Sequence, residues 1–436
     1  MSKIYLSSIR GNSLEFKLDP SVPLTNSVIK STHGEHLALI VARPSKSVAT
    51  GLALYGAESL KIGTEFKPHQ KELEVNISKA ALGRVFDSLG NCIDRGAKPT
   101  LNDKIHPLES NIDTITRKLS DSPVVEVLET GIKAVDFFAP FVKGRKVGIV
   151  GGAGVGKTVL ITEIMHNVCV RNVGPTIFMG VGERIREAHE LYETLRKNNL
   201  LKNTAMYLGQ MNEAALNRYL VAHTGASAAR YFRDELKTDV LCFIDNVYRF
   251  VQAGNELSIQ LGQIPSEGGY QPGMFSELSS FENKLDSNKK GTITSVQSIY
   301  VPADDPSDPA VVEIYQQLDS VIVLNREVME QGILPAVDLL ATASSLLTPE
   351  IIGERHYLLL SQVQMVLQKY ESLKGVVSII GEGELSVLDR GDYHKAQRLH
   401  EYFAQDMFVT ADLTGKPGQY VDRDDMLSGI EEIITS

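Results

Sequence analysis

The sequence predicts an α/β protein in three parts: a small β-barrel, a parallel sheet with flanking helices, and a mostly helical C-terminal region. Short alternating apolar runs, broken by turn residues, occupy residues 1–71. In residues 72–350, apolar strand-like runs alternate with helical periods, a pattern typical of parallel strands joined by crossover helices. In residues 351–436, helical periods dominate. We therefore expect three domains with these boundaries.

Turn-forming residues occur at short intervals in the N-terminal part. The runs Ser13–Leu18 and His36–Val41 are rich in apolar residues and are bounded by Gly11, Pro20 and Gly34. Short strands at such spacing, each ended by Gly or Pro, favour a small all-β domain. We interpret residues 1–71 as a barrel.

The C-terminal part contains two long helical periods. Ile351–Tyr370 and Asp392–Phe408 are predicted to be helices because apolar residues recur there at helical spacing. Val376–Ile380 is a short apolar run and is predicted to be a strand. The region is therefore expected to be mostly helical.

Composition excludes several classes of protein. The chain has 436 residues, with 44 Lys and Arg against 54 Asp and Glu, so its formal net charge is -10. An acidic balance disfavours nucleic acid as a partner, since nonspecific binding needs clustered cations. Neither a signal peptide nor an apolar run of the ~18 residues that a membrane span needs is apparent. Cys92, Cys169 and Cys242 are too sparse for a disulfide framework. We expect a cytoplasmic protein.

A glycine-rich loop follows the strand-like run Lys146–Val150. Gly151–Thr158 reads GGAGVGKT, a complete match to GxxxxGK[ST], and a helical period follows it. Strand, loop and helix in this order form a phosphate cradle, because loop N–H groups and the positive helix N-terminus face one anion. The middle domain is therefore predicted to have the α/β P-loop NTPase fold. A plain glycine turn would leave the Lys-Thr pair unexplained.

The expected ligands of this loop are ATP or ADP and Mg²⁺. Lys157 is expected to reach the β and γ phosphates, and the Thr158 hydroxyl to bind Mg²⁺. The loop residues expected to contact the phosphates are Gly152, Ala153, Gly154, Val155, Gly156, Lys157, Thr158 and Val159.

Charged residues follow two further predicted strands. Thr176–Val181 is followed by Glu183 and Arg184, and Asp239–Asp245 ends in a carboxylate that fits a magnesium-supporting position, with Arg249 downstream. Ligands of open parallel sheets bind beyond the carboxyl ends of the strands, so these residues can converge with the loop. Phosphoryl transfer to water needs a group that orients the water and cations that hold the phosphates. Glu183 fits the first role and the two arginines the second, although a surface helix cap explains Glu183 and Arg184 equally well.

At these residues the chain resembles the catalytic β subunit of F-type rotary ATPases, the head of ATP synthase. The resemblance is strong from Leu82 to Asp308, fair to Gly415 and weak in the predicted barrel. Besides the glycine loop it rests on Leu82–Asp87, Gly131–Asp136, Gly182–Arg184, Gly209–Glu213, Tyr231–Asp234, Phe243–Phe250, Gly269–Pro272 and Ile299–Asp305.

The resemblance implies roles for individual residues. Glu183 would activate the attacking water, Arg184 and Arg249 would contact phosphates, and Asp245 would support Mg²⁺. The noncatalytic α subunit of that family has Gln at the position of Glu183, so this chain carries the catalytic residue set. The resemblance further implies a hexamer of alternating α-like and β-like chains, with an arginine finger from the α-like neighbour. A γ-like central stalk is the other implied partner, and contact with the cytoplasmic face of a membrane would come only through partners.

The chain departs from the family at the base pocket and at the stalk-facing loop. Tyr300 is kept, but Leu334, Met407 and Leu413 occupy positions where the family has aromatic rings. Losing a ring removes stacking of about 1 kcal/mol per contact, although aliphatic side chains can still sandwich a base. In the loop Glu382–Asp389, Val387 and Leu388 stand where charge is expected. These changes favour an ATPase whose work is something other than synthesis, such as motility, cleavage or export.

Three alternatives remain open from the sequence. The first is a conventional ATP synthase β subunit, coupled to a proton-translocating membrane sector. The second is a hexameric RNA translocase, which the net charge of -10 and a barrel without a clear basic or aromatic RNA-binding surface disfavour. The third is a nonhydrolysing ring member, against which the retained Glu183 argues.

Overall fold

The structure is a computed structural model that divides into two compact units. It describes residues 4–19, 26–55, 59–109, 126–152, 154–171, 174–266, 268–302 and 305–436, without the side chains of 170, 380 and 413. Unit one comprises Met1–Ile115, Pro175–Glu193 and Leu201–Gly291, and unit two comprises Thr116–Gly174, Thr194–Leu200 and Thr292–Ser436.

Unit one begins with a closed barrel, which confirms the predicted N-terminal fold. Its order is β1-β2-β5-β4-β3-β6, with antiparallel neighbours. Alternation along the strands places apolar side chains inside, where Phe16 and Phe66 meet edge to face at 5.1 Å. The barrel strands are β1 (Ile4–Arg10), β2 (Ser13–Leu18), β3 (Val28–Ser31), β4 (Leu37–Ser45), β5 (Val48–Tyr55) and β6 (Glu65–Gln70).

The remaining strands fall in both units. They are β7 (Val75–Ile77), β8 (Val85–Phe86), β9 (Asp103–Ile105), β10 (Val127–Leu128), β11 (Phe141–Val142), β12 (Lys146–Gly151), β13 (Thr176–Glu183), β14 (Thr204–Gln210), β15 (Val240–Asp245), β16 (Ile293–Tyr300), β17 (Ser320–Val323) and β18 (Ala343–Ser344). In unit one, β15, β13, β14 and β8 are parallel neighbours in that order. In unit two the order is β18-β17-β12-β16, with only β18 antiparallel.

Helices flank the parallel strands, as the fold class requires. They are α1 (Lys133–Phe138), α2 (Lys157–Arg171), α3 (Ile185–Lys197), α4 (Ala215–Asp234), α5 (Val247–Gln260), α6 (Met274–Asn283), α7 (Pro309–Gln316), α8 (Arg326–Glu330), α9 (Pro349–Ile352), α10 (Glu354–Ile380), α11 (Val387–Phe403), α12 (Ala411–Thr414) and α13 (Arg423–Thr435). In unit one, α4 packs on β13, β14 and β15, and in unit two α2 packs on β12 and β16. The α/β P-loop architecture predicted for the middle of the chain is thereby confirmed.

The C-terminal region is helical, but one prediction within it was wrong. Val376–Ile380 is the last part of the 27-residue helix α10, not a strand. A five-residue apolar run carries too little periodicity to separate the two conformations. Val376 is 43% exposed and Ile379 84% exposed, so the run lies on an open helix surface rather than in a buried strand. None of the helices in the described ranges is long and apolar enough to cross a bilayer.

Candidate active site

The glycine-rich loop joins β12 to α2 within unit two. All residues of β12 are buried, so the loop begins from a fixed point. A Cβ at Gly151 would lie 2.7 Å from Val155 Cγ2, a close approach that only glycine permits. Gly154 and Gly156 have φ angles of 77° and 92°, in the left-handed region that L-residues rarely adopt. The glycines therefore set the path of the chain and let its N–H groups turn toward an anion.

The Lys157 ammonium lies inside this loop. Lys157 is the first residue of α2, and its Nζ donates a hydrogen bond of 2.6 Å to the Gly151 carbonyl and another to the Gly152 carbonyl. It also lies 5.6 Å from the ring centroid of Tyr300, the last residue of β16. A cation at the positive end of a 15-residue helix, enclosed by glycine backbone, is suited to a polyphosphate.

The other loop residues have different exposures. Gly152 and Val155 are buried, whereas Gly154 is exposed. Thr158 and Val159 are half-buried on the first turn of α2. The predicted phosphate contact at Ala153 lies outside the described residues.

The predicted base-binding residues lie on separate segments that one hydrogen bond brings together. The Gln405 N–H donates to the Leu334 carbonyl at 2.7 Å, which places the Met407 segment beside Leu334. Leu334 is 41% exposed, whereas Met407 is buried. The side chain of the fourth predicted residue, Leu413, lies outside the described part of the chain. Unit two thus holds the predicted phosphate-binding loop together with Leu334 and Met407.

The predicted catalytic carboxylates end two adjacent strands of unit one. Glu183 is the last residue of β13, and Asp245 is the last of β15. These strands are parallel, with Gly180 opposite Asp245, so both carboxylates lie at the same edge. Both side chains are buried, Glu183 being 9% exposed and Asp245 3% exposed. Glu183 is therefore not a surface helix cap.

Burial and charge together control the ionisation of Glu183. Desolvation raises its pKa well above the ordinary 4.5, and the negative charge of Asp245 raises it further. The Arg249 guanidinium opposes both effects. Arg249 runs along Gly182, where a Cβ would lie 3.1 Å from the arginine Cδ. Gly182, with φ 65°, thus allows the arginine to approach the carboxylates.

Arg184 does not join this buried cluster. Its side chain is 64% exposed and its Nη1 lies 3.3 Å from Glu187 Oε1. The structure brings together Glu183, Asp245 and Arg249 and leaves Arg184 exposed in the turn between β13 and α3. Unit one therefore contains a buried carboxylate with a raised pKa beside a cation, which suits proton transfer.

The oxygen donors fit Mg²⁺. Mg²⁺ is commonly held by one or two protein oxygens together with substrate phosphates. The Thr158 hydroxyl in unit two and the Asp245 carboxylate in unit one are donors of this kind. Among the described residues, no group of three or more His, Cys, Asp or Glu forms a separate metal cage. Each unit therefore offers one oxygen donor of the kind that Mg²⁺ takes together with nucleotide phosphates.

Sequence reasoning overlooked two buried polar residues of unit two. Glu163 on α2 is 1% exposed, and its Oε2 accepts the Val409 N–H at 3.0 Å. Gln405 is 6% exposed, and its Nε2 donates to the Gly131 carbonyl at 2.6 Å. The available signal for Glu163 was a carboxylate on the apolar face of α2, near Leu160. Gln405 gave no local signal, because its partner lies far away in sequence.

Models of two known protein families match parts of the chain. Residues 131–344 match the model of the ATP synthase alpha/beta family, nucleotide-binding domain. Residues 347–417 match the model of the C-terminal domain of V and A type ATP synthase. The first match contains the glycine loop, Glu183, Asp245 and Arg249, and the second contains Met407.

Proposed function

We propose that this chain is the subunit of a rotary ATPase that hydrolyses MgATP. The matches to the two family models support a nucleotide-binding subunit of the rotary ATPase α/β type. The C-terminal match is to the V and A type domain, so it does not support the F-type assignment in particular. The proposal therefore concerns a catalytic subunit of a rotary ATPase. Its products are ADP and phosphate, formed when water displaces ADP from the γ-phosphorus.

The observation that carries this proposal is the buried position of Glu183 beside Arg249 and Asp245. A carboxylate with a raised pKa is a stronger proton acceptor than an exposed one. The deprotonated Glu183 would accept a hydrogen bond from the attacking water and orient it toward phosphorus. A nonhydrolysing subunit has no need for a carboxylate at this position.

Other residues bind and polarise the phosphates. Lys157 would exchange its hydrogen bonds to the Gly151 and Gly152 carbonyls for phosphate oxygens, while the loop N–H groups fix their orientation. Thr158 and Asp245 would hold Mg²⁺, which when bound neutralises charge on the phosphates. Arg249 would stabilise charge that develops during the transfer, and Arg184 would need to turn away from Glu187 to do the same.

We further propose that the chain alternates with a noncatalytic α-like subunit in a hexamer around a γ-like stalk. At the turn from α10 into α11, the first two residues of α11 form an apolar tip: Val387 is 87% exposed and Leu388 is 80% exposed. This apolar tip supports work on a load other than that of ATP synthesis, such as motility, cleavage or export. The chain would act in the cytoplasm and reach a membrane only through partner subunits.

Measured hydrolysis by the chain alone and in its complex tests this proposal. An arginine finger from a neighbour accelerates related phosphoryl transfers by about 10³-fold or more. We expect slow hydrolysis of MgATP by the isolated chain and a large gain with the α-like subunit. Equal low rates with and without the partner would contradict the proposal.

A further inference from the structure

A buried carboxylate ties the phosphate-binding helix to a distant segment of unit two. Glu163 lies on α2 six residues after Lys157, about 9 Å along the helix axis. Its Oε2 accepts the backbone N–H of Val409 at 3.0 Å. Glu163 is 1% exposed, so this hydrogen bond is shielded from water.

Neighbouring side chains strengthen the same connection. Asn167, one turn further along α2, donates to Glu163 Oε1 at 3.4 Å and to the Thr130 carbonyl at 2.9 Å. The ring of His166 lies 5.1 Å from the ring of Phe408, measured between centroids. Residues of α2 thus contact the segment at two consecutive positions, Phe408 and Val409.

The held segment contains a predicted base contact. Met407 immediately precedes Phe408, and Gln405, two residues earlier, donates its N–H to the Leu334 carbonyl at 2.7 Å. The Gln405 side chain accepts the Lys133 N–H at 2.9 Å. Residues 405–409 are therefore fastened at one end to Leu334 and at the other to α2.

We propose that Glu163 is a positioning residue that fixes the Met407 segment relative to the phosphate-binding loop. It acts through Val409 and does not touch the nucleotide itself. The inference rests on the proposed function, because it takes Leu334 and Met407 as the base slot. Aliphatic side chains stack on a base more weakly than aromatic rings do. The affinity of this slot for a nucleotide therefore depends more strongly on where the Met407 segment is held.

The test compares two ligands on the full-length chain by titration calorimetry. MgADP engages both the base slot and the loop, whereas magnesium tripolyphosphate engages only the loop. Glu163→Leu keeps side-chain volume but removes the acceptor for the Val409 N–H. We expect MgADP binding to weaken by up to about tenfold, because a segment that has lost one hydrogen bond must be ordered again when the base binds. Tripolyphosphate binding should stay within about twofold.

Two further variants separate positioning from general loss of structure. Glu163→Gln retains an oxygen acceptor and should keep MgADP affinity within about threefold of the parent chain. Phe408→Ala loosens the same segment without touching Glu163, and should also weaken MgADP more than tripolyphosphate. It provides the decisive comparison if thermal unfolding shows that Glu163→Leu does not fold.

The binding measurements distinguish a failure of the positioning role of Glu163 from a failure of the proposed function. An equal loss for both ligands in Glu163→Leu, or no loss for MgADP in Phe408→Ala, would overturn the positioning role. Failure of the unaltered chain to bind MgADP would instead overturn the proposed function. A selective loss of MgADP affinity, restored in Glu163→Gln, supports the inference.

Discussion

The Lys157 Nζ donates a 2.6 Å hydrogen bond to the carbonyl oxygen of Gly151, the last residue of β12. The ammonium is thus held inside the glycine loop by the backbone of that loop. A phosphate entering the loop would meet a cation already in place, so little side-chain entropy is lost on binding.

Replacing Lys157 by Ala should weaken nucleotide binding. A hydrogen bond to a charged group contributes about 1.5–3 kcal/mol, so we expect the Kd for MgADP to rise roughly tenfold to a hundredfold. Titration calorimetry measures the effect. The exposed Lys290, replaced in the same way, is the control and should leave the Kd unchanged. Similar affinities in both variants would show that Lys157 does not bind phosphate.

Restoring an aromatic ring at Leu334 should strengthen nucleotide binding. Leu334 is 41% exposed, so a larger side chain fits without displacing core atoms. Stacking of about 1 kcal/mol predicts roughly fivefold tighter MgADP binding by Leu334→Tyr, with tripolyphosphate unaffected. Leu340→Tyr, at a site 38% exposed, is the matched control. Equal changes in the two variants would argue against a base slot at Leu334.

Lys284 should make the stability of unit one depend on pH. Its Nζ donates to the Pro107 carbonyl and lies 3.1 Å from His223 Nδ1. Burial lowers its pKa from 10.5 to about 7, so the folded state disfavours the charged form. This penalty is complete below about pH 7 and is relieved as the pH rises toward 10.5.

The free energy of unfolding of the parent chain should therefore rise with pH relative to Lys284→Met. Linkage sets an upper limit of about 1.4 kcal/mol per pH unit in this interval. Denaturant melts of both chains at neutral and alkaline pH measure the difference. A difference that does not change with pH would show that Lys284 keeps an ordinary pKa when folded.

Local sequence patterns predicted the parts of the site that local geometry determines. The order of strand, glycine loop and helix around Lys157 follows from the motif itself, because glycine conformation and the helix N-terminus act within a few residues. Glu183 and Asp245 were predictable for a related reason, since parallel strands end at one edge of a sheet.

Local sequence patterns could not predict contacts between residues that lie far apart in the sequence. Gln405 bonds Gly131 and Lys133 across most of unit two, and nothing beside it in sequence indicates these partners. Arg184 is 64% exposed and its Nη1 lies 3.3 Å from Glu187 Oε1, a side-chain position that the adjacent strand pattern does not determine. The apolar run Val376–Ile380 joined a helix because the preceding residues had already established one.

The rate of MgATP hydrolysis by Glu183→Gln, in the assembled complex, tests the central claim most directly. Glutamine keeps the size of the side chain but cannot accept a proton, so we expect kcat to fall by about 10²- to 10⁴-fold. MgADP affinity, measured on the same sample, should be retained because Glu183 does not bind the loop-held phosphates. Undiminished hydrolysis by Glu183→Gln would contradict the account.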